Sequence, residues 1–302
     1  MKVVLTNLSN SLFEESRNRL NQSALKHGIS HVDSWDFEDL KKTEFFRQHE
    51  ELLSQQKGLG FWAWKPFIIL DSFSRLMTDD IVIYSDCGHE IIDDLEPLIN
   101  LCANKSDIIL FENGNLDNAT WTKRDCFVKM NCDSRKFWYE HQVDASFLLI
   151  KKKEETIEFL QEWLHFCCDW QANTNNLNVL GKKNLPSYIE HRWDQSILSL
   201  LRIKWKLDSF RMPSQFGNHY KSPAFRIQGE FNCKNQYKPV QLNYYSNTPK
   251  LNSPYFQLLN HHRTKKSAMN NNEHKISVIS NLIGFCQRSF KRLHTFLHKK
   301  FG

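Results

Sequence analysis

The chain has 302 residues, of which 40% are hydrophobic, 25% charged and 13% aromatic, a balance that supports a buried core and excludes a disordered chain. The formal charge of +6 resides in one place: Lys275, Arg288, Lys291, Arg292, Lys299 and Lys300 lie in residues 275–302, which hold no Asp or Glu. The rest of the chain carries 34 basic and 34 acidic side chains, so no nucleic-acid partner is expected.

In chain order, Lys2–Thr6 is a short β-branched run that predicts a strand, and Phe13–His27 has helical spacing that stops at Gly28. Ile29–Trp35 predicts a second strand. Phe37–Gln56 is charged and helix-compatible, and Pro66 at a first helical position predicts a helix reaching about Met77. Ile81–Tyr84 is a compact apolar run of the buried-strand type and ends abruptly at Ser85-Asp86-Cys87-Gly88. Asp107–Phe111 and Ala145–Ile150 predict further strands, followed by an amphipathic helix over Glu154–Trp170. Asn173–Lys183 predicts a surface loop, Ile197–Leu201 the body of a helix, and Phe216–Tyr245 an irregular segment. Alternating elements of this kind predict an α/β domain over residues 1–264, with ligands at the carboxyl ends of its strands.

Val3-Val4-Leu5 is too short for the core of a secretion signal, and no apolar run is long enough to span a membrane. The eight cysteines form no CxxC pair and no zinc spacing, which predicts reduced thiols in a cytoplasmic chain. Residues 265–274 read as a polar linker. Beyond it, Ile276, Ile279, Ile283, Cys286, Phe290, Leu293, Leu297 and Phe301 recur at helical steps opposite the basic residues. Such a helix lies on an anionic membrane surface, or docks its apolar stripe on the protein body.

Several residues invite chemistry. Asp86 and Gly88 at a buried strand's exit suit a divalent cation with a diphosphate, although an Asp-x-Gly turn alone only closes the backbone. Trp62 and Trp64 would stack on a base or sugar, or seal the helix to the sheet; Lys65 between them and Pro66 would meet phosphate. Asp194 and Gln195 sit at a helix entrance, as capping groups or as ligands of sugar hydroxyls, and Asp144 precedes a strand as a second carboxylate. His261-His262-Arg263 would close over a diphosphate or add a metal ligand.

The segments GLGFWAWKPFIILDSF, DDIVIYSDCG, HQVDASFLLIKK, HRWDQSILSLL and LNHHRTKK, in this order over residues 1–266, resemble the motifs of bacterial GT-A-type glycosyltransferases of capsule, O-antigen and lipooligosaccharide biosynthesis. The resemblance implies a Rossmann-type nucleotide-sugar-binding domain with a mainly parallel central sheet, followed by the C-terminal amphipathic helix. It implies an enzyme that moves a sugar from a nucleotide-diphosphate donor to a growing glycan or lipid-linked acceptor at the inner face of the bacterial inner membrane. Asp86 takes the place of the acid that binds metal and sugar nucleotide, Thr6 and Asn7 approach the base, and Asp194 and Gln195 contact donor sugar or acceptor. Gly88 stands where many such enzymes have a second Asp, so Mn2+ or Mg2+ would need His262, Glu90 or water, with Lys65 and Arg263 meeting the leaving diphosphate. Asp194 or Asp144 would face the sugar. The other reading is a noncatalytic carbohydrate-binding or scaffold protein of the same fold.

Overall fold

A computed structural model describes residues 1–214, 217, 227–233, 236–242 and 252–261. The chain runs through β1 (Val3–Ser9), α1 (Glu14–Lys26), β2 (His31–Asp36), short helices α2 (Phe37–Leu40), α3 (Glu44–Gln48) and α4 (Glu50–Leu53), a tight turn α5 (Gly58–Phe61), α6 (Trp64–Ser74), β3 (Ile81–Ser85) and β4 (His89–Ile91). It continues through α7 (Glu96–Asn104), β5 (Ile108–Asp117), α8 (Asn118–Trp121), α9 (Arg124–Lys129), α10 (Arg135–Trp138), β6 (His141–Lys151), α11 (Glu154–Cys167), α12 (Trp170–Asn173), α13 (Trp193–Lys204), β7 (Ser209–Arg211), β8 (Ile227–Cys233), β9 (Gln236–Leu242) and β10 (Leu259–His261).

Six strands form the central sheet in the order β2-β1-β3-β6-β5-β7. β1 runs parallel to β2 and β3, and β5 to β7, while β6 is antiparallel to both neighbours. The sheet is therefore mainly parallel, as expected. Ile81–Tyr84, Ile108–Phe111 and Phe147–Ile150 are apolar at every position because both faces of the sheet are covered there. Val4, Leu8, Val82, Tyr84, Leu148 and Ile150 face a cluster that includes residues of α6, α11 and α13. Leu5, Ile81, Ile83, Phe147 and Leu149 alternate with them and face α1 and α7. Each such side chain contributes about 1.5–3 kcal/mol by leaving water.

Several boundaries differ from expectation. The stretch Phe37–Gln56 breaks into three short helices, because Asp36 and Thr43 each cap a new start, accepting from the amides of Glu38 and Phe46. Pro66 stands third in α6 rather than first. Within the segment expected to be irregular, β8 and β9 pair antiparallel from Ile227↔Leu242 to Cys233↔Gln236. The linker and tail, residues 265–302, lie outside the described residues, and no described helix is long and apolar enough to cross a membrane. Cys87, Cys102, Cys126, Cys132, Cys167 and Cys168 are free thiols.

Candidate functional site

The polar residues that matter converge on the carboxyl edge of the sheet. Val82, Tyr84 and Asp86 project from alternate positions toward one face, and the chain leaves β3 in a turn through Gly88 that closes with His89 N donating to Asp86 O at 3.2 Å. The Asp86 side chain is 26% exposed, and its Oδ1 accepts from the buried Tyr84 hydroxyl at 2.5 Å and faces Lys65 Nζ at 3.2 Å. Lys65, only 3% exposed, also meets Asp194 Oδ2 at 2.9 Å and donates to Ala145 O at 2.9 Å. Its ammonium thus donates to one carbonyl and pairs with two carboxylates, and these three contacts hold it inside the site.

Two carboxylates share one cation here. Asp194 is 5% exposed, and burial pushes its carboxyl up to about 7 against the pull of Lys65, with the charge of Asp86 adding to the rise. Burial also works to depress Lys65, but Asp194 and Asp86 outweigh it and hold the ammonium above its ordinary range. Asp194 sits in the first turn of α13, where the helix dipole favours a negative charge; Lys65 sits in the first turn of α6, where the dipole opposes it.

Two strained segments deliver these helices. Gly58, Leu59, Gly60, Phe61 and Trp62 all have φ between 54° and 89°, a left-handed turn that costs roughly 1–2 kcal/mol for each residue other than glycine. A Cβ at Gly60 would lie 2.6 Å from Leu53 Cα, so that position requires glycine. Trp193, immediately before Asp194, is left-handed too, with φ 48°. The Trp62 and Trp193 rings pack at 5.2 Å, joining the entrances of α6 and α13, and Lys57 lies over Trp193 at 4.4 Å. Trp64 is buried, and its Nε1 donates to Gly58 O at 3.1 Å. It seals α6 to the sheet, the alternative weighed for it above.

The third component is an irregularity in the sheet. Leu110 pairs with Leu148 but Phe111 with Asp144, so residues 145–147 form an insertion in β6. Two of its carbonyls serve the site, Ala145 O accepting from Lys65 and Ser146 O from Asp86 N at 2.7 Å. Asp144 Oδ1 accepts from Ser146 N at 2.5 Å and from the Ser146 hydroxyl. Asn113, where β5 loses register in turn, reaches Gln195 Oε1 at 3.3 Å and Asp144 Oδ2 at 3.5 Å, while Gln195 Nε2 donates to Gln142 Oε1 at 2.7 Å. Asp86, Lys65 and Asp194 therefore form one cluster, and Asp144, Asn113 and Gln195 an amide-rich neighbour.

Thr6 and Asn7 are buried at the carboxyl half of β1, Thr6 donating to Asp33 O at 3.2 Å and Asn7 to Asn21 Oδ1 at 2.7 Å. Neither presents an open side chain. His89 is buried with its Nδ1 3.0 Å from Ser85 Oγ and its Nε2 3.2 Å from His261, its cross-strand partner on β10. His262 and Arg263 lie outside the described residues. Sequence reading missed Tyr84, Asn113 and Ser146, and also Arg17, which pairs with Asp36 at 3.2 Å and acts on the nearby Cys87 thiol. Tyr84 was legible as the polar member of an apolar strand two residues before Asp86; the others carry no local signal.

Among the described residues no three His, Cys, Asp or Glu side chains are grouped as a metal site, and Asp86 Oδ1 is already engaged. His262, the second ligand expected, lies outside the described residues.

No family model and no curated protein matches the sequence. Among solved structures, the chain is similar to the apo form of the glycosyltransferase GlyE from Streptococcus pneumoniae TIGR4, with 18% identity, TM-score 0.38 and coverage of 90% of this chain and 57% of that one. It is similar to the bifunctional glycosyltransferase WbbM, with 10% identity, TM-score 0.39 and coverage of 66% and 37%. It is also similar to the galactosyltransferase LgtC solved with donor and acceptor sugar analogues, with 12% identity, TM-score 0.41 and coverage of 86% of both chains. The chain thus spans little more than half of GlyE and about a third of WbbM. Likeness at this level assigns no activity to this chain.

Proposed function

We propose that this chain is a glycosyltransferase that moves a sugar from a nucleotide-diphosphate donor to a glycan or lipid-linked acceptor. The observation that carries the reading is the partly exposed Asp86 carboxylate at the exit of β3, held from behind by Lys65 and Tyr84 and flanked by Asp194. Breaking a sugar–diphosphate bond develops positive charge on the sugar and negative charge on the leaving group. A fixed carboxylate at the carboxyl edge of a mainly parallel sheet answers the first need and stands where α/β sheets bind ligands.

Within this reading Lys65 is a positioning residue, since its charge holds Asp86 and Asp194 and its hydrogen bond to Ala145 O ties them to the β6 insertion. Asp144 is the carboxylate placed to accept the proton of an acceptor hydroxyl, and the amides of Asn113 and Gln195 line the same side to bond sugar hydroxyls. Arg263 and the divalent cation remain proposals for the diphosphate.

The test is nucleotide release and glycosyl transfer from a panel of nucleotide sugars with Mn2+, with and without chelator, read by mass spectrometry. We expect one donor to be turned over and Asp86→Ala to reduce turnover at least a hundredfold without unfolding the protein. Donor binding without turnover would favour the noncatalytic carbohydrate-binding reading, and turnover that Asp86→Ala leaves intact would remove Asp86 from the site. Loss of turnover with chelator, restored by Mn2+, would add the metal.

A further inference from the structure

Residues 174–192, between α12 and α13, contain no regular element, yet their backbone is pinned from beneath. The Asp125 carboxylate accepts from Val179 N at 2.7 Å and Leu180 N at 3.2 Å, and Lys123 Nζ donates to Thr174 O at 3.0 Å and Asn176 O at 3.2 Å. Asn178 Oδ1 accepts from Asp125 N at 3.1 Å, and Asn184 Oδ1 from Arg124 N at 2.7 Å. Lys123 and Asp125 are buried, and burial depresses the Lys123 ammonium. Burying two charged groups is costly, and here it fixes a loop whose own side chains leave the protein: Leu177 is 85%, Val179 64% and Leu180 37% exposed. Single exposed apolar residues need no explanation, but neighbouring ones on a fixed backbone mark an interaction surface.

The surroundings point to one kind of partner. Lys182 and Lys183 follow the apolar tip directly, and Lys182 Nζ meets Asp133 Oδ2 at 2.6 Å. Asp133 also accepts from Trp138 Nε1 at 3.0 Å, which joins the loop to α10 with its Arg135 and Lys136 and to the exposed Tyr139 just beyond. Arg135, Lys136, Lys182 and Lys183 are exposed here, while the nearby acids are engaged: Asp133 with Arg124 and Lys182, Asp169 with Lys129, and Glu140 with Arg202. Apolar side chains beside lysines and an aromatic residue match the order of acyl chains, anionic headgroups and interface in a lipid leaflet.

We propose that the 177–183 tip, together with α10, docks on an anionic lipid bilayer. The contact is built from this loop and α10 and does not depend on which reaction the Asp86 cluster performs. It has a geometric consequence for that cluster, however. The loop is anchored at its base, where Trp193 Nε1 donates to Asn175 Oδ1 at 2.9 Å and Asn173 Nδ2 to Phe61 O at 3.2 Å. A docked tip would therefore be tied through its own base to Trp193, the neighbour of Asp194.

The test is cosedimentation of the full chain with vesicles of equal parts phosphatidylglycerol and phosphatidylcholine. We expect the triple variant Leu177→Ser/Val179→Ser/Leu180→Ser to partition at least tenfold more weakly than wild type while unfolding at the same urea concentration. In a Leu177→Trp variant, the added fluorescence should be quenched by bromine-labelled acyl chains. Equal partitioning of the triple variant, absence of quenching, or no binding of the wild type to these vesicles would each overturn the proposal. So would a concentration-dependent dimer that the triple variant abolishes without a change in vesicle binding, which would assign the tip to a second copy of the chain.

Discussion

Helix α6 carries its two ends to opposite edges of the sheet, and a lysine serves each end in an opposite way. At the amino edge, Lys152 Nζ donates to Phe73 O at 2.7 Å and Leu76 O at 2.6 Å, closing the carboxyl end of α6 where the dipole welcomes a cation. Nearby Asp80 accepts from Lys2 N at 2.5 Å and Met77 N at 2.9 Å, and Asp107 meets Lys151 and Lys153. Burial would raise both acids, but these donors outweigh it and hold them below the usual carboxylate range. At the carboxyl edge, Lys65 stands where the dipole repels it and serves two carboxylates, one of them pushed up to about 7. The amino edge also has a depression of about 440 Å³ lined by Thr78, Lys152, Lys153, Glu154, Ile157, Glu158 and Gln161. Its charges are matched, so concavity alone does not mark the chemistry; unmatched charge does.

Removing the shared cation breaks this contrast most severely. Lys65→Met leaves Asp86 and Asp194 facing each other across a buried site, and should cost about 3–5 kcal/mol, read as a lower urea midpoint at pH 8. A loss below about 1 kcal/mol would mean that water, rather than Lys65, screens the pair.

The titration of Asp194 gives a smaller and more diagnostic effect. Its folded value of about 7 lies above the ordinary 3.8, so between these the folded chain keeps a proton that the unfolded chain has released. Its contribution to stability is present at low pH and is lost as pH rises from about 4 to about 7. Asp194→Asn should remove that decline, so the difference between the stability curves of wild type and variant should slope through this window and flatten above it. A flat difference across the window would place the ionised Asp194 fully within the stabilising reach of Lys65.

How much of this was legible depends on the range over which each feature is set. Ile81–Tyr84 announces β3, because a strand covered on both faces is apolar at every position, and Asp86 is visible as the polar break that ends it. Asp194 is visible as an acid opening a helical run. The partners of Lys65 are not, since Asp86, Asp194 and Ala145 come to it from three distant parts of the chain. The β6 insertion carries no local signal either, because it shows only as a jump in pairing with β5, a strand distant in the chain. In Gly58–Trp62 the two glycines hint at left-handed backbone, but Leu59, Phe61 and Trp62 adopt it against their own preference, which tertiary packing overrides.

The amino edge supplies the control. Lys152→Met takes its donor from the Leu76 carbonyl and leaves that of Phe73 with the Leu76 amide alone, and should cost about 1–3 kcal/mol. No carboxylate is left unpaired by the change, because Asp80 keeps its bonds to the amides of Lys2 and Met77. The loss should therefore be the same at pH 5 and pH 8, unlike that of Lys65→Met, which should be smaller at pH 5, where Asp194 is protonated and one of the two orphaned charges is gone. Urea unfolding of both variants at the two pH values compares the edges directly. If Lys152→Met shows the steeper pH dependence, the charge imbalance lies at the amino edge, and the site has been placed at the wrong end of α6.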